Sequence, residues 1–184
     1  MKTLKKYSNE TLCEDINLKN TYSNILESQS LKKIIISIGV KETILTANKI
    51  LYPLLILELI SGQKPCQTKA RKSIANFKLR EGKVIGCKVS LRKEKMYAFL
   101  EKFIHVILPQ LTETSTLKYN NKKNNNSITL GIKDCSIFPE LENQYDLLTE
   151  IYGLNINFVS SSKIQSKDNL FFSGFKIPFK RKGE

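Results

Sequence analysis

Apolar positions along the chain switch between the two-residue period of strands and the 3.6-residue period of helices. Ile34–Val40 is β-branched and apolar and predicts a strand. Lys41–Ile60 follows with Ile44, Ala47, Leu51, Leu54 and Leu55 at roughly helical spacing. Pro53 should kink that helix or start a second segment, and Gly62 suits its C-terminal cap. Cys66–Arg71 can form a strand. Lys83–Leu91 is a better one, alternating Val84, Gly86, Lys88 and Ser90 against Ile85, Cys87, Val89 and Leu91, which implies one cationic and one apolar face. Between them Lys72–Gly82 reads as an exposed loop or extended hairpin.

Arg92–Leu108 has the clearest helical stripe: Met96, Phe99, Leu100, Phe103, Ile104, Ile107 and Leu108, with Pro109 expected to end it. Gln110–Asn126, with its run Asn120–Asn126, is too polar to bury itself and predicts a long loop. Ser127–Ile132, Asp134–Phe138 and Tyr152–Val159 are further strands, and Asp168–Ser173 is a short helix. Phe175–Phe179 is expected to pack back ahead of the basic end Lys180–Lys182. Met1–Leu31 is polar and reads as partly helical and loosely held. Strands interleaved with helices without a regular βαβ period predict an α+β fold: one domain over 1–184, an antiparallel sheet with helices on one face, and an exposed basic inter-strand loop.

Charge narrows the function. Thirty Lys+Arg against seventeen Asp+Glu give a net +13, and a compact protein so charged expects a polyanionic partner. The longest apolar run, Ile50–Ile60, is broken by Pro53 and Glu58 and is too short to span a bilayer, so no membrane is expected. Met1–Tyr7 has no apolar core behind it and the first arginine is Arg71, so neither a secretory signal nor an Arg-rich transit peptide is read. Cys13, Cys66, Cys87 and Cys135 lie far apart without a C-x-x-C pair; free thiols in a reducing compartment, and no metal or cofactor, are expected. The weight of Lys, Asn, Ile and Leu is the usage of an AT-rich genome.

Catalytic signals are poor. His105 falls on or beside the solvated side of its helix, and Glu140, Glu142 and Asp146 have no base or metal partner. Neither GxGxxG nor GxxxxGK[ST] occurs. No catalytic residue is assigned and the chain is read as a non-enzyme. The informative cluster is cationic: Lys64, Lys69, Arg71, Lys72, Lys78, Arg80, Lys83, Lys88, Arg92, Lys93 and Lys95, broken only by Glu81 and Glu94. Gln63, Gln67, Thr68, Ser73, Asn76 and Phe77 are interleaved. Cations for phosphate, amides and hydroxyls for 2′-OH and base edges, and an aromatic for an unstacked base suit RNA. A solvated basic surface that only adds solubility is the plainer alternative.

The wording of this region adds a resemblance. Ser61-Gly-Gln-Lys-Pro65, then Thr68-Lys-Ala-Arg-Lys-Ser-Ile-Ala-Asn-Phe-Lys-Leu-Arg-Glu-Gly82 and Ile85-Gly-Cys-Lys-Val-Ser-Leu-Arg92, closely resemble the bacterial-type large-subunit ribosomal protein L-five family. The likeness continues through Met96–Leu100, Leu108-Pro109, Leu130–Lys133, Ile137–Glu140, Gly153–Ile156 and Ile177–Phe179, and Leu31–Glu42 looks like the family's first strand. It implies a structural protein of the large subunit's central protuberance that binds 5S rRNA or its equivalent and large-subunit rRNA. It further implies contact with P-site tRNA, a bridge to a small-subunit head protein, and neighbouring protuberance proteins as partners. Carried over, rRNA contacts fall on Ser37, Gln63 and Ser90, with the cations Lys64, Lys88 and Arg92 beside them. The tRNA-facing loop falls on Lys72, Ser73, Asn76, Phe77, Lys78 and Arg80. The family usually has Asn at Ser37 and Thr at Ser90, and its arginines are missing from Gln110–Asn126. The absent leader, the AT-rich usage and this divergence imply a mitochondrial genome and a mitoribosome in the matrix, with a bacterial cytoplasm or plastid as the other settings. On charge alone, a free basic RNA chaperone is the alternative function, or a protein of anionic membrane surfaces, although no strongly basic amphipathic helix recommends the latter.

Overall fold

The structure, a computed structural model, describes residues 4–19, 24, 27–41, 43, 46–111, 127–142, 144, 152–161 and 171–177. Helical backbone begins with α1 (Leu4–Tyr7), widens into a π turn at Ser8–Leu12 and continues as α2 (Cys13–Lys19). Strand β1 is Leu31–Gly39. A 3₁₀ turn, Ala47–Ile50, leads into α3 (Leu51–Ser61). Strands β2 (Cys66–Lys69) and β3 (Val84–Leu91) flank the basic segment. Then come α4 (Lys93–Lys102), a second π turn at Phe103–Ile107, α5 (Leu108–Gln110), β4 (Ser127–Ile132), α6 (Pro139–Glu142) and β5 (Leu154–Ser160).

The five strands form one antiparallel sheet in the order β2-β3-β1-β5-β4, the expected α+β architecture. Burial alternates along the strands: Ile34, Ile36 and Ile38 in β1; Cys87, Val89 and Leu91 in β3; Ile128, Leu130 and Ile132 in β4; Leu154, Ile156 and Phe158 in β5. One sheet face is therefore core and the other is open to polar side chains.

The chain divides into two compact units, one of residues 1–34, 91–130 and 157–184, the other of 35–90 and 131–156. The first holds an aromatic cluster. The rings of Phe99 and Phe103 lie 6.3 Å apart, Phe103 and Phe158 5.4 Å, and Phe158 and Phe172 6.4 Å. The N-terminal helices join this unit through buried Leu12 and Ile16, the Tyr7 hydroxyl donating to the Gly174 carbonyl, and an ion pair between Lys5 and Glu94. The second unit packs α3 with α6. There a Cβ on Gly86 would meet the Ile38 carbonyl oxygen at 2.4 Å, so only glycine allows β1 and β3 their spacing.

Four expectations need correction. The helix expected over Lys41–Ile60 begins only at Ala47 and becomes α-helical at Leu51. Pro53 explains the start: in the first turn its missing N–H has no intrahelical acceptor to lose. Gly62 closes the helix in the left-handed region (φ 61°), its N–H donating to the Glu58 carbonyl at 2.8 Å. The strand expected to reach Arg71 stops at Lys69. Asp134–Phe138 is not a strand but a 3₁₀ turn (Cys135–Ile137) entering α6. The Asp134 carboxylate caps that turn by accepting the Ser136 N–H at 2.8 Å, and Pro139 opens the helix. Pro109 does not end its helix, which runs to Gln110, because the wider π turn before it relieves the clash of the ring with the preceding turn. Residues 112–126, including Asn120–Asn126, lie outside the described residues, as do 168–170, Asp146 and Lys180–Lys182. Of the C-terminal segment, residues 171–174 are helical, and Phe175 and Ile177 are buried.

Candidate nucleic-acid interface

The candidate residues are arranged by β3. Its register with β2 is antiparallel, Cys66 opposite Lys88, Gln67 opposite Cys87 and Thr68 opposite Gly86. Lys88 and Ser90 are exposed while Cys87, Val89 and Leu91 between them are buried, so alternation puts both polar side chains on the open face. Ser37 lies half-buried on neighbouring β1, between buried Ile36 and Ile38, and faces the same way.

Gln63 joins this face through the end of α3. Buried Ser61 lies with its Oγ 2.6 Å from the Leu57 carbonyl, and Gln63 N–H donates to that hydroxyl at 3.4 Å. Left-handed Gly62 then turns the chain, and Gln63 Nε2 donates to the Ser90 carbonyl at 3.1 Å. Lys64 is exposed beside it. Arg92 is exposed in extended backbone at the start of α4 (φ −142°, ψ 165°).

The second group lies at the opposite end of β3. The segment expected as a loop or extended hairpin is an ordered hairpin. Ala70 N–H donates to Lys83, Gly82 N–H to Ala70, and Ile74 and Leu79 exchange backbone bonds at 2.9 and 3.1 Å. A 3₁₀ turn, Ala75–Phe77, and left-handed Lys78 (φ 51°) form the tip, while Ser73 Oγ accepts the Glu81 N–H at 2.9 Å. Residues 71–78 are all exposed. Lys72, Ser73, Asn76, Phe77 and Lys78 are thus held on one projection, and exposed Arg80 follows on its returning arm. The seven rises of extended chain from Lys83 to Ser90 span about 23 Å at the usual rise and separate the hairpin from the far end of the other group. The structure does not bring them into a single patch.

Among the described residues no ion pair engages Lys64, Lys72, Lys78, Arg80, Lys88 or Arg92, leaving their charge for an external partner. Sequence reasoning passed over Ile74, 43% exposed near Phe77 at 67%: the tip carries two apolar side chains. Its only sequence signal was an apolar residue inside a polar run. His105 is exposed in the second π turn, away from the stripe it was expected to avoid. Cys87 and Cys135 are buried, and burial pushes both thiols up to about 12, which makes them poor nucleophiles.

Residues 24–80 match the family described as ribosomal protein L5, and residues 84–179 match the C-terminus of that ribosomal family. A relative from Reclinomonas americana, large ribosomal subunit protein uL5m, is 41% identical over 182 residues, covering 99% of this chain and all of its own length. This chain belongs to the ribosomal protein L5 family. The family is one of structural proteins of the large ribosomal subunit, not of enzymes, which accords with the poverty of catalytic constellations in the sequence. The boundary between the two matched segments falls within residues 81–83, at the root of the hairpin's second arm.

Proposed function

We propose that this chain is a structural constituent of the large ribosomal subunit that holds rRNA of the 5S type in the central protuberance, touches P-site tRNA and bridges to the small-subunit head during translation. Ser37, Gln63, Lys64, Lys88, Ser90 and Arg92 take the rRNA, and the hairpin from Lys72 to Arg80 takes the tRNA. The observation that carries this reading is the full-length likeness to a large-subunit ribosomal protein, on a chain of net charge +13. Its physical support is the two polar groups set about 23 Å apart at the two ends of β3. The reading assigns the chain to a mitoribosome in the mitochondrial matrix, on its relative's mitochondrial name and AT-rich residue usage.

Affinity-tagged chain is expected to sediment with large subunits through a sucrose gradient and to retain 5S-type rRNA after the small subunit is stripped off. Sedimentation as free protein would overturn the reading.

A further inference from the structure

Between the two proposed RNA surfaces runs a stretch that neither uses. β2 is an edge strand, so every second residue turns its N–H and C=O away from the sheet with no strand to receive them. Along it and its continuation Cys66, Gln67, Lys69 and Arg71 are exposed. From Gln63 to Arg80 there are six cations and not one acid, Glu58 and Glu81 being the nearest on either side. The pairing with β3 shifts register between Thr68 and Lys69: Gly86 opposes Thr68, Val84 opposes Lys69, and Ile85 is left as an extra residue. Such a bulge bends the strand and re-aims its neighbours. Among the described residues no ion pair takes up Lys69 or Arg71.

An edge of this kind has two possible occupants, another strand or a polyanion. Strand addition is disfavoured by its length of four residues, by Pro65 immediately before it, and by its charge. We infer that the β2 edge is itself a binding site for the sugar-phosphate backbone of RNA, with Lys69 and Arg71 on phosphates, the Gln67 amide on a 2′-hydroxyl or base edge, and the free edge N–H groups as further donors. It thereby adds a contact along the rim of the sheet, between the open sheet face and the hairpin. The inference rests on the proposed function in taking the polyanion to be RNA; the edge contact is new to it.

The test uses the full chain and a transcript of 5S-type or large-subunit rRNA, with affinity measured across a salt series. Each phosphate contact contributes about 0.7–0.9 to the slope of log K against log salt, so the double variant Lys69→Ala/Arg71→Ala is expected to flatten it by about 1.4–1.8. An unchanged slope overturns the inference and leaves the proposed function standing, whereas a wild-type chain that binds neither transcript overturns both. A second readout uses Cys66, the one exposed thiol among the described cysteines. In the Cys13→Ser background, an iron chelate tethered at Cys66 in assembled large subunits is expected to cut RNA at a short run of nucleotides. Cuts in rRNA or in bound tRNA tell which backbone lies on the edge; no cuts in either RNA sink the inference.

Discussion

The side-chain amide of Gln63 donates to the backbone carbonyl of Ser90 at 3.1 Å, across 27 residues of sequence. It fixes the turn after α3 to the last exposed position of β3, so two of the candidate rRNA contacts form one rigid corner. Replacing Gln63 with Ala is expected to cost at most about 1 kcal/mol of stability, since the bond is neutral and exposed. On the proposed function RNA affinity should fall as well, since that reading places the same amide against the rRNA. Urea melts together with filter binding to 5S-type rRNA check this; a stability loss without an affinity loss would make Gln63 a purely structural residue.

The hairpin holds its own shape through backbone bonds and the Ser73 hydroxyl, so its cations are left to serve a ligand. Changing Lys78 and Arg80 to Ala should leave sedimentation with large subunits intact while weakening P-site tRNA retention. Failure of the variant to enter subunits would show that the hairpin is an assembly contact.

Gly86→Ala brings a methyl to within 2.4 Å of the Ile38 carbonyl oxygen, and a backbone oxygen cannot swing aside as a side chain can. Overpacking of this kind costs about 1–3 kcal/mol, which for a chain of this size lowers Tm by several degrees. An unaltered melting curve would show that β1 and β3 are not held at this spacing.

Burial holds the Cys87 and Cys135 thiols neutral up to about 12, against an ordinary value of 9.0. Their folded-state values are raised, so between those limits the folded chain binds more protons than the unfolded one. The stability they contribute is whole below about pH 9 and is lost as pH rises towards 12. Urea midpoints should therefore decline across that window, less so when either cysteine is replaced by Ala. Alkylation at pH 8 should modify Cys66 in the folded chain, and Cys87 and Cys135 only after denaturant is added.

Much of the fold was legible because its signals are local. The alternation of Lys88 and Ser90 against Cys87, Val89 and Leu91 set the two faces of β3, and β4 begins and ends where its pattern does. Gly62 was readable as a cap because few other residues accept that backbone. The failures are equally local. Asp134–Phe138 has a strand's composition, but a carboxylate able to cap the next turn and a proline at its end decide for a helical start. Pro109 looked like a stop because a π turn upstream has no sequence signature.

By itself the sequence determined that the chain is basic, α+β and a relative of a ribosomal protein, since charge, periodicity and the wording of Ser61–Arg92 are properties of neighbouring residues. Only the tertiary structure decided that an open strand edge runs between the two surfaces that the resemblance had already set apart, and that the Gln63 amide is tied to the end of β3. Strand order, the bulge at Ile85 and the reach from Gln63 to Ser90 depend on pairing between residues distant in the chain, and no local pattern encodes which backbone groups a sheet leaves open.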